Sequence, residues 1–252
     1  MLFSKQIIFA LPFIQVALTA SNSSRNSTVC KPKSSQNSTT LHRSARQSAS
    51  AQDGSPTGNM TGSLTSSNNF INFCVSKEAL GAKLMNGSQS AHNYSCNGIP
   101  MGMIPAPDQF PSCKFVHPIN FSNLKANTTF NIILKIKNMV TGKFTNPTNT
   151  YFSAPQQISP KSKQVIGHAH VVIQKISTLN STKTVNPTKF SFFKGIDTSV
   201  GKDNTSFVEV TNGLPVGSYR LSSMLSAANH QPILSGVAQR GTFDDVVYFT
   251  VS

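Results

Sequence analysis

The sequence predicts an all-β protein: an immunoglobulin-like β-sandwich of about seven strands, preceded by a disordered Ser/Asn-rich arm. Three observations carry that expectation. From Lys114 onward apolar residues recur at every second position, as in Phe130, Ile132, Leu134 and Ile136 set against Asn131, Ile133, Lys135 and Lys137, which is the period of a half-buried strand. No stretch of the same half shows a helical stripe. Residues 21–69, by contrast, are dominated by Ser, Thr and Asn, with Val29, Leu41, Met60 and Leu64 as their only sizeable aliphatics. That little apolar surface does not offset the entropy of ordering the chain.

Taken from its start, the chain divides into four parts. Residues 1–20 combine Lys5, an apolar run from Ile7 to Ile14 and a small-residue exit at Ala17-Leu18-Thr19-Ala20, the pattern of a cleaved secretory signal. The run is short and broken by Pro12, so no transmembrane segment is expected there or elsewhere. Residues 21–69 form the arm. Residues 70–113 carry Cys74, Cys96 and Cys113 and a Pro/Gly-rich run over 96–107. Repeated Pro and Gly bar a helix or a central strand, which predicts an extended, disulfide-pinned lead-in. Residues 114–252 hold the strands, expected at Lys114–His117, Phe130–Lys137, Gln164–Ile176, Thr188–Phe193, Ser206–Val210, Gly217–Leu225 and Asp245–Val251. Within Leu214-Pro215-Val216-Gly217-Ser218-Tyr219 a turn precedes a strand with an early Tyr. In immunoglobulin-like sandwiches a Tyr so placed bonds its hydroxyl back to the backbone at the E–F corner. Strand B is then Phe130–Lys137, C is Gln164–Ile176, E is Ser206–Val210 and G is Asp245–Val251.

Secretion changes how the other motifs read. Cys30, Cys74, Cys96 and Cys113 make two disulfides the expectation, with three connectivities open. A Cys96–Cys113 bridge, closing the Pro/Gly-rich loop, is slightly favoured among them. Sequons at Asn22, Asn26, Asn37, Asn59, Asn86, Asn93, Asn120, Asn127, Asn180 and Asn204 predict a glycoprotein with these positions at its surface. The net charge of +14, from 22 Lys+Arg against 8 Asp+Glu, favours acidic partners. The basic residues form no tight run, the closest being His42-Arg43-Ser44-Ala45-Arg46, so no nucleic-acid partner is expected.

An enzyme is not expected. The chain has no Gly-x-Ser-x-Gly elbow and no His-Glu-x-x-His, and no cofactor is called for. Its few carboxylates include Asp244 and Asp245, which as neighbours on a strand face opposite ways. A glycosidase needs two that converge. In Gly167-His168-Ala169-His170 the two imidazoles are two residues apart, hence on one face of a strand, a half-site for copper or zinc. His117, His230, Asp244 and Asp245 are the candidates to complete it. The last constellation, Asn146-Pro147-Thr148-Asn149-Thr150-Tyr151, falls between strands B and C. Asn-Pro starts a turn and stiffens the loop, and Tyr151 is a candidate aromatic anchor for a partner.

That hexapeptide resembles the Asn-Pro-Thr-Thr-Gly-Tyr loop of chagasin-type cysteine protease inhibitors, small immunoglobulin-like sandwiches that insert loops from one end into papain-like clefts. Asn149 and Thr150 stand where that family has Thr and Gly. The F–G segment offers Arg240-Gly241-Thr242-Phe243 in place of Arg-Pro-Trp, and the D–E segment, Lys194–Thr205, lacks Gly-x-Gly-Gly. The whole layout also resembles the rust transferred proteins, effectors secreted from the haustoria of rust fungi. It shares their signal, sequon-bearing Ser/Asn-rich arm, four cysteines and β-rich C-terminal domain. Residues 96–100, 151–157, 167–174 and 229–232 are similar to stretches of a wider set of secreted fungal proteins.

The rust resemblance implies deposition in the extracellular matrix around haustoria, transfer into host cytoplasm or nucleus, protease inhibition and filament formation. The expected function is therefore that of a secreted virulence effector and non-catalytic inhibitor of a host papain-like cysteine protease. It would occlude the cleft with Asn146, Pro147, Thr148, Asn149, Thr150 and Tyr151, supported by Arg240, Gly241, Thr242 and Phe243. One alternative is a fibril-forming matrix protein. For it the β-prone segments Asp245–Ser252, Phe130–Ile136 and His170–Ile176 are the candidate pairing edges. The other is metal binding through His168 and His170.

Overall fold

Alternation in sequence becomes alternation in burial wherever a strand has one wet face and one dry face. A computed structural model describes residues 37–52, 65–84, 86, 95–145, 147, 151–152 and 156–252. Among them the strands run, in chain order, β1 (Lys83–Leu84), β2 (Ser95–Cys96), β3 (Ser112–His117), β4 (Asn123–Leu124), β5 (Phe130–Lys137), β6 (Met139–Val140), β7 (Val165–Ile176), β8 (Phe192–Ile196), β9 (Thr205–Val210), β10 (Gly217–Ala227) and β11 (Val246–Val251). In β5, Ile132, Leu134 and Ile136 are buried while Asn131, Lys135 and Lys137 are exposed. In β11, Val247, Phe249 and Val251 are the buried set.

The protein is all-β. Strands β3, β5 and β9 form an antiparallel sheet with β5 at its centre. The second sheet has the order β4-β11-β10-β7-β6, and β8 also pairs with β7. Phe115, Leu134 and Val208 from the first sheet join Ile173, Leu221 and Phe249 from the second in one buried cluster. Tyr219 belongs to it. Its ring stacks on Phe249 at 5.6 Å, and its hydroxyl donates to the Pro215 carbonyl at 2.7 Å, a bond that contributes about 1 kcal/mol.

Strand β8 lies further along the chain than the sequence suggests. Thr188–Phe193 reads as a strand, yet its first residues form a turn in which Asn186 Oδ1 accepts from both the amide and the hydroxyl of Thr188. The strand pairs Phe192 with Ile173 and Ile196 with Ala169, taking in Lys194, Gly195 and Ile196 from the expected D–E loop.

The segments considered for filament pairing lie inside the sheets. Strand β5 sits between β3 and β9, and β7 between β10 and β8. The free side of β11 is covered by residues 120–126, where Asn120, Ser122 and Leu124 accept from Tyr248, Thr250 and Ser252.

In the arm, Arg43–Ala45 and Ser48–Ala51 form short 3-10 turns that bury no residue. The secretory signal, Cys30, Asn22, Asn26, Asn59 and Asn93 lie outside the described residues. Asn37, Asn86, Asn120, Asn127, Asn180 and Asn204 are all exposed. Among the described residues no helix is long and apolar enough to cross a membrane.

The lead-in is pinned by a disulfide, but by a different one from the favoured pairing. Cys74 bonds Cys96, with their Cα atoms 5.5 Å apart, within bridging range. Cys113 carries a free thiol. It sits in β3 with its sulfur 3.1 Å from Ser223 Oγ and 3.3 Å from the Phe243 carbonyl oxygen, turned to the second sheet and held there. Burial pushes this thiol from its ordinary 9.0 up to about 11, and the nearby Asp244 charge adds to the effect. A thiol so raised is protonated at neutral pH and a poor nucleophile. The matching contribution to stability is present below pH 9.0 and is lost as pH rises through about 11. At pH 8, iodoacetamide should therefore label Cys113 roughly 100-fold more slowly in the folded protein than in denaturant, with peptide mapping as the readout.

Candidate metal centre

Strands β7 and β10 pair antiparallel from Ser218↔Ile176 to Ala227↔Gly167. Because side chains alternate, Val165, Ala169, Val171 and Ile173 enter the core and His168 and His170 take the opposite face. Their ring centroids are 4.7 Å apart. His168 is nevertheless only 3% exposed, because two loops fold over this end of the sheet.

The first loop follows β6. The Lys143 amide donates to the Gly167 carbonyl and the Thr145 amide to the Ala228 carbonyl. The second loop follows β10, where the chain turns within four residues, the His230 amide donating to the Ala227 carbonyl. His230 has φ +74°, a left-handed conformation uncommon for a residue with a side chain. The turn brings His230 back over β7, its Nδ1 3.1 Å from His168 Nε2.

The outer nitrogens of both rings meet backbone oxygens. His168 Nδ1 is 3.2 Å from the Lys143 carbonyl oxygen, and His230 Nε2 is 2.7 Å from that of Thr145. A carbonyl only accepts, so each of these nitrogens carries a ring proton, and in a neutral ring the inner nitrogen is then an acceptor. The two inner nitrogens face each other. Burial, then the neighbouring His170 and His230, hold His168 down to about 4, so it stays neutral. Burial, then His230, lower His170 also. One ligand nitrogen from each of the three rings lies within 4.8 Å of the others.

The cluster opens into a cavity of about 760 Å³ whose walls include Phe144, Tyr151, Phe193 and Met224. Tyr151 stacks on His230 at 5.4 Å and on Phe152 at 4.2 Å. Of the other candidates for completing the histidine pair, Asp245 points away, accepting from the Phe115 amide at 2.8 Å and pairing with Lys114 at 3.1 Å. Asp244 lines the cavity, but its Oδ1 accepts from the Leu225 amide at 2.8 Å and the Ser223 hydroxyl at 3.1 Å. His117 ends β3, in the other sheet. His230 is the partner the structure supplies.

The loop residues expected to contact a protease are distributed as follows. Asn146, Thr148, Asn149 and Thr150 lie outside the described residues. Pro147 and Tyr151 line the cavity. Phe243 is buried in the core against Phe110, with the Arg240 guanidinium 4.2 Å above its ring. Gly241 and Thr242 are exposed between them. The carbonyls of Lys143 and Thr145, which orient two of the three imidazoles, carry no sequence signal, because every residue has one.

Fold and site together define a two-sheet, all-β domain with a histidine-lined cavity at one end of the larger sheet. The chain belongs to the CLU5d N-terminal domain family, whose model matches residues 113–252. A relative from Colletotrichum graminicola, pathogenicity cluster 5 protein d, is 44% identical over 207 residues, which is 81% of this chain. The match covers 42% of that relative, so the chain spans less than half of its length. These findings overturn the assignment to the rust transferred proteins, to which nothing in the matches points. A leader, sequons, cysteines and β-rich sequence are features of export and folding shared widely, and they do not discriminate between families.

Gly167 is the residue on which the site's geometry turns. A Cβ there would collide with the Ser226 carbonyl oxygen and lie 2.8 Å from Met139 Cε, so β7 and β10 approach this closely only because the position is Gly. Gly167→Ala should destabilise the domain by about 1–3 kcal/mol, measured by guanidinium unfolding against the unsubstituted protein.

Proposed function

We propose that this chain is a secreted, virulence-associated protein whose C-terminal domain binds a transition-metal ion between His168, His170 and His230. The association with virulence is supported by the relative named for a pathogenicity cluster. The metal reading is carried by one observation, the inner nitrogens of His168 and His230 facing each other at 3.1 Å with both outer nitrogens against carbonyls, which with both rings neutral makes the inner pair two acceptors. Two acceptors at that separation repel, and a cation bound by both removes the repulsion. In a tetrahedral site with metal–nitrogen bonds of roughly 2.05 Å, ligand nitrogens stand about 3.3 Å apart, close to the spacing found. Imidazole ligands suit zinc, copper and nickel, and backbone carbonyls that fix the ring tautomer are the usual support for such ligands.

A second reading, inhibition of a papain-like cysteine protease, has one observation in its favour. The segments after β6 and β10 emerge at the same end, and Pro147 and Tyr151 stand at the cavity beside the second of them. Stacking of Tyr151 and burial of Phe243 make both poorer anchors for a partner than the sequence suggests.

Calorimetry with zinc(II) and copper(II) should show one bound ion per chain. His170→Ala and His230→Ala should each weaken binding at least roughly 10-fold, and zinc at 100 times its Kd should stabilise the fold by about 2.7 kcal/mol. No heat and no change in melting temperature with either metal would sink the proposal. Titration against papain addresses the second reading. Inhibition in the micromolar range that is lost in Tyr151→Ala supports it, and none at that concentration removes it.

A further inference from the structure

Resting on that metal reading, we infer that the site is built to hold copper in its monovalent state, with the thioether of Met224 as fourth ligand. The register of the β7–β10 pair places Met224 directly opposite His170 and Ser226 directly opposite His168. Directly opposed residues on one face of an antiparallel pair have Cβ atoms roughly 5 Å apart, and Met has three rotatable bonds with which to close such a gap. Met224 lines the same cavity as the three histidines.

The composition of this face makes the methionine conspicuous. The residues of β10 that point the same way as Met224 are Ser218, Arg220, Ser222 and Ser226, all polar, with Ser222 and Ser226 buried. Met224 interrupts that pattern and remains 40% exposed, so core packing does not account for it. Its neighbours on β7 are not core residues either, since that face carries His168 and His170.

Ligand chemistry then selects the ion. Thioether sulfur is a soft donor that favours copper(I) and adds little for zinc(II). Three imidazoles and a thioether are uncharged ligands, and such a set holds a monovalent ion at lower cost than a divalent one. Asp197 and Asp244 line the same cavity, and Asp244 Oδ1 is occupied by the Leu225 amide and the Ser223 hydroxyl, so neither is counted among the ligands. The inference concerns binding only and invokes no electron transfer.

The test uses the full chain under anaerobic reducing conditions, with bicinchoninate competing for copper(I) and a parallel titration with zinc(II). Met224→Leu conserves volume and removes the sulfur. It should weaken copper(I) binding about 10-fold or more while leaving zinc(II) affinity within about twofold. X-ray absorption at the copper edge should show a sulfur ligand in the unsubstituted protein, a readout that does not depend on how the variant folds. Equal copper(I) affinity in Met224→Leu, or a copper spectrum with nitrogen ligands alone, would overturn the inference and leave the three-histidine reading standing. Failure of the unsubstituted protein to bind either metal would overturn both.

Discussion

The antiparallel pairing of β7 with β10 is the constraint on which the rest of the molecule hangs. Ten residue pairs set one face of each strand into the core and the other toward the loops. Slipping that register by one residue would exchange the two faces, sending His168 and His170 inward and Ala169 and Val171 outward. Burial of Val171, Ile173 and Leu221 at the centre of the cluster penalises such a slip heavily. The hydrophobic core and the histidine cluster are thus two sides of one pairing, and the interior that stabilises the domain also fixes where its imidazoles point.

Residues 143–145 convert that placement into a defined geometry. Their amides at 143 and 145 are tied to Gly167 and Ala228, and the carbonyls of the same residues hold the two rings. Each ring is therefore oriented by a backbone that is itself anchored to the strands or turn carrying the ring. Preorganisation of this kind lowers the entropy lost when a ligand is captured. Its cost is visible in the left-handed backbone at His230 and in an imidazole kept neutral by burial. The first opposes folding at any pH, and the second does so as pH falls below 6.5.

Much of this was readable from sequence where the governing rule is local. Strands β5 and β11 follow from period two, and so does the shared face of His168 and His170, because alternation is imposed by the backbone itself. Tyr219 could be placed because its bond spans four residues. Strand β8 differs from its expected bounds because the sequence reading assigns Lys194–Thr205 to the D–E loop, whereas Gly195 continues the strand and faces His170, whose Cδ2 would lie 3.5 Å from a Cβ. The pairing of cysteines depends on which pair the fold brings within reach, and Cys113 is committed to β3 before that question arises. His230 lies 62 residues beyond His168, in a turn. Composition made it one candidate among several, and only the three-dimensional path of the chain distinguishes it from His117 or Asp244.

One buried amide connects the lead-in to all of this. Gln156, 1% exposed, exchanges backbone bonds with Met101 and Met103, and its side chain donates to the Met103 carbonyl and accepts from the Leu234 amide. Nearby, Asn97 donates to the Phe152 carbonyl, and Phe152 in turn donates to Asn229. The Cys74–Cys96 bridge makes residues 75–95 a closed side loop. A pull along the N-terminal arm therefore bypasses that loop and arrives first at Phe152 and Gln156, each one hydrogen bond from the stretch 229–234 that carries His230. Because Gln157 also accepts from the Ile166 amide, mechanical tension on the arm would reach the histidine turn and the start of β7 together.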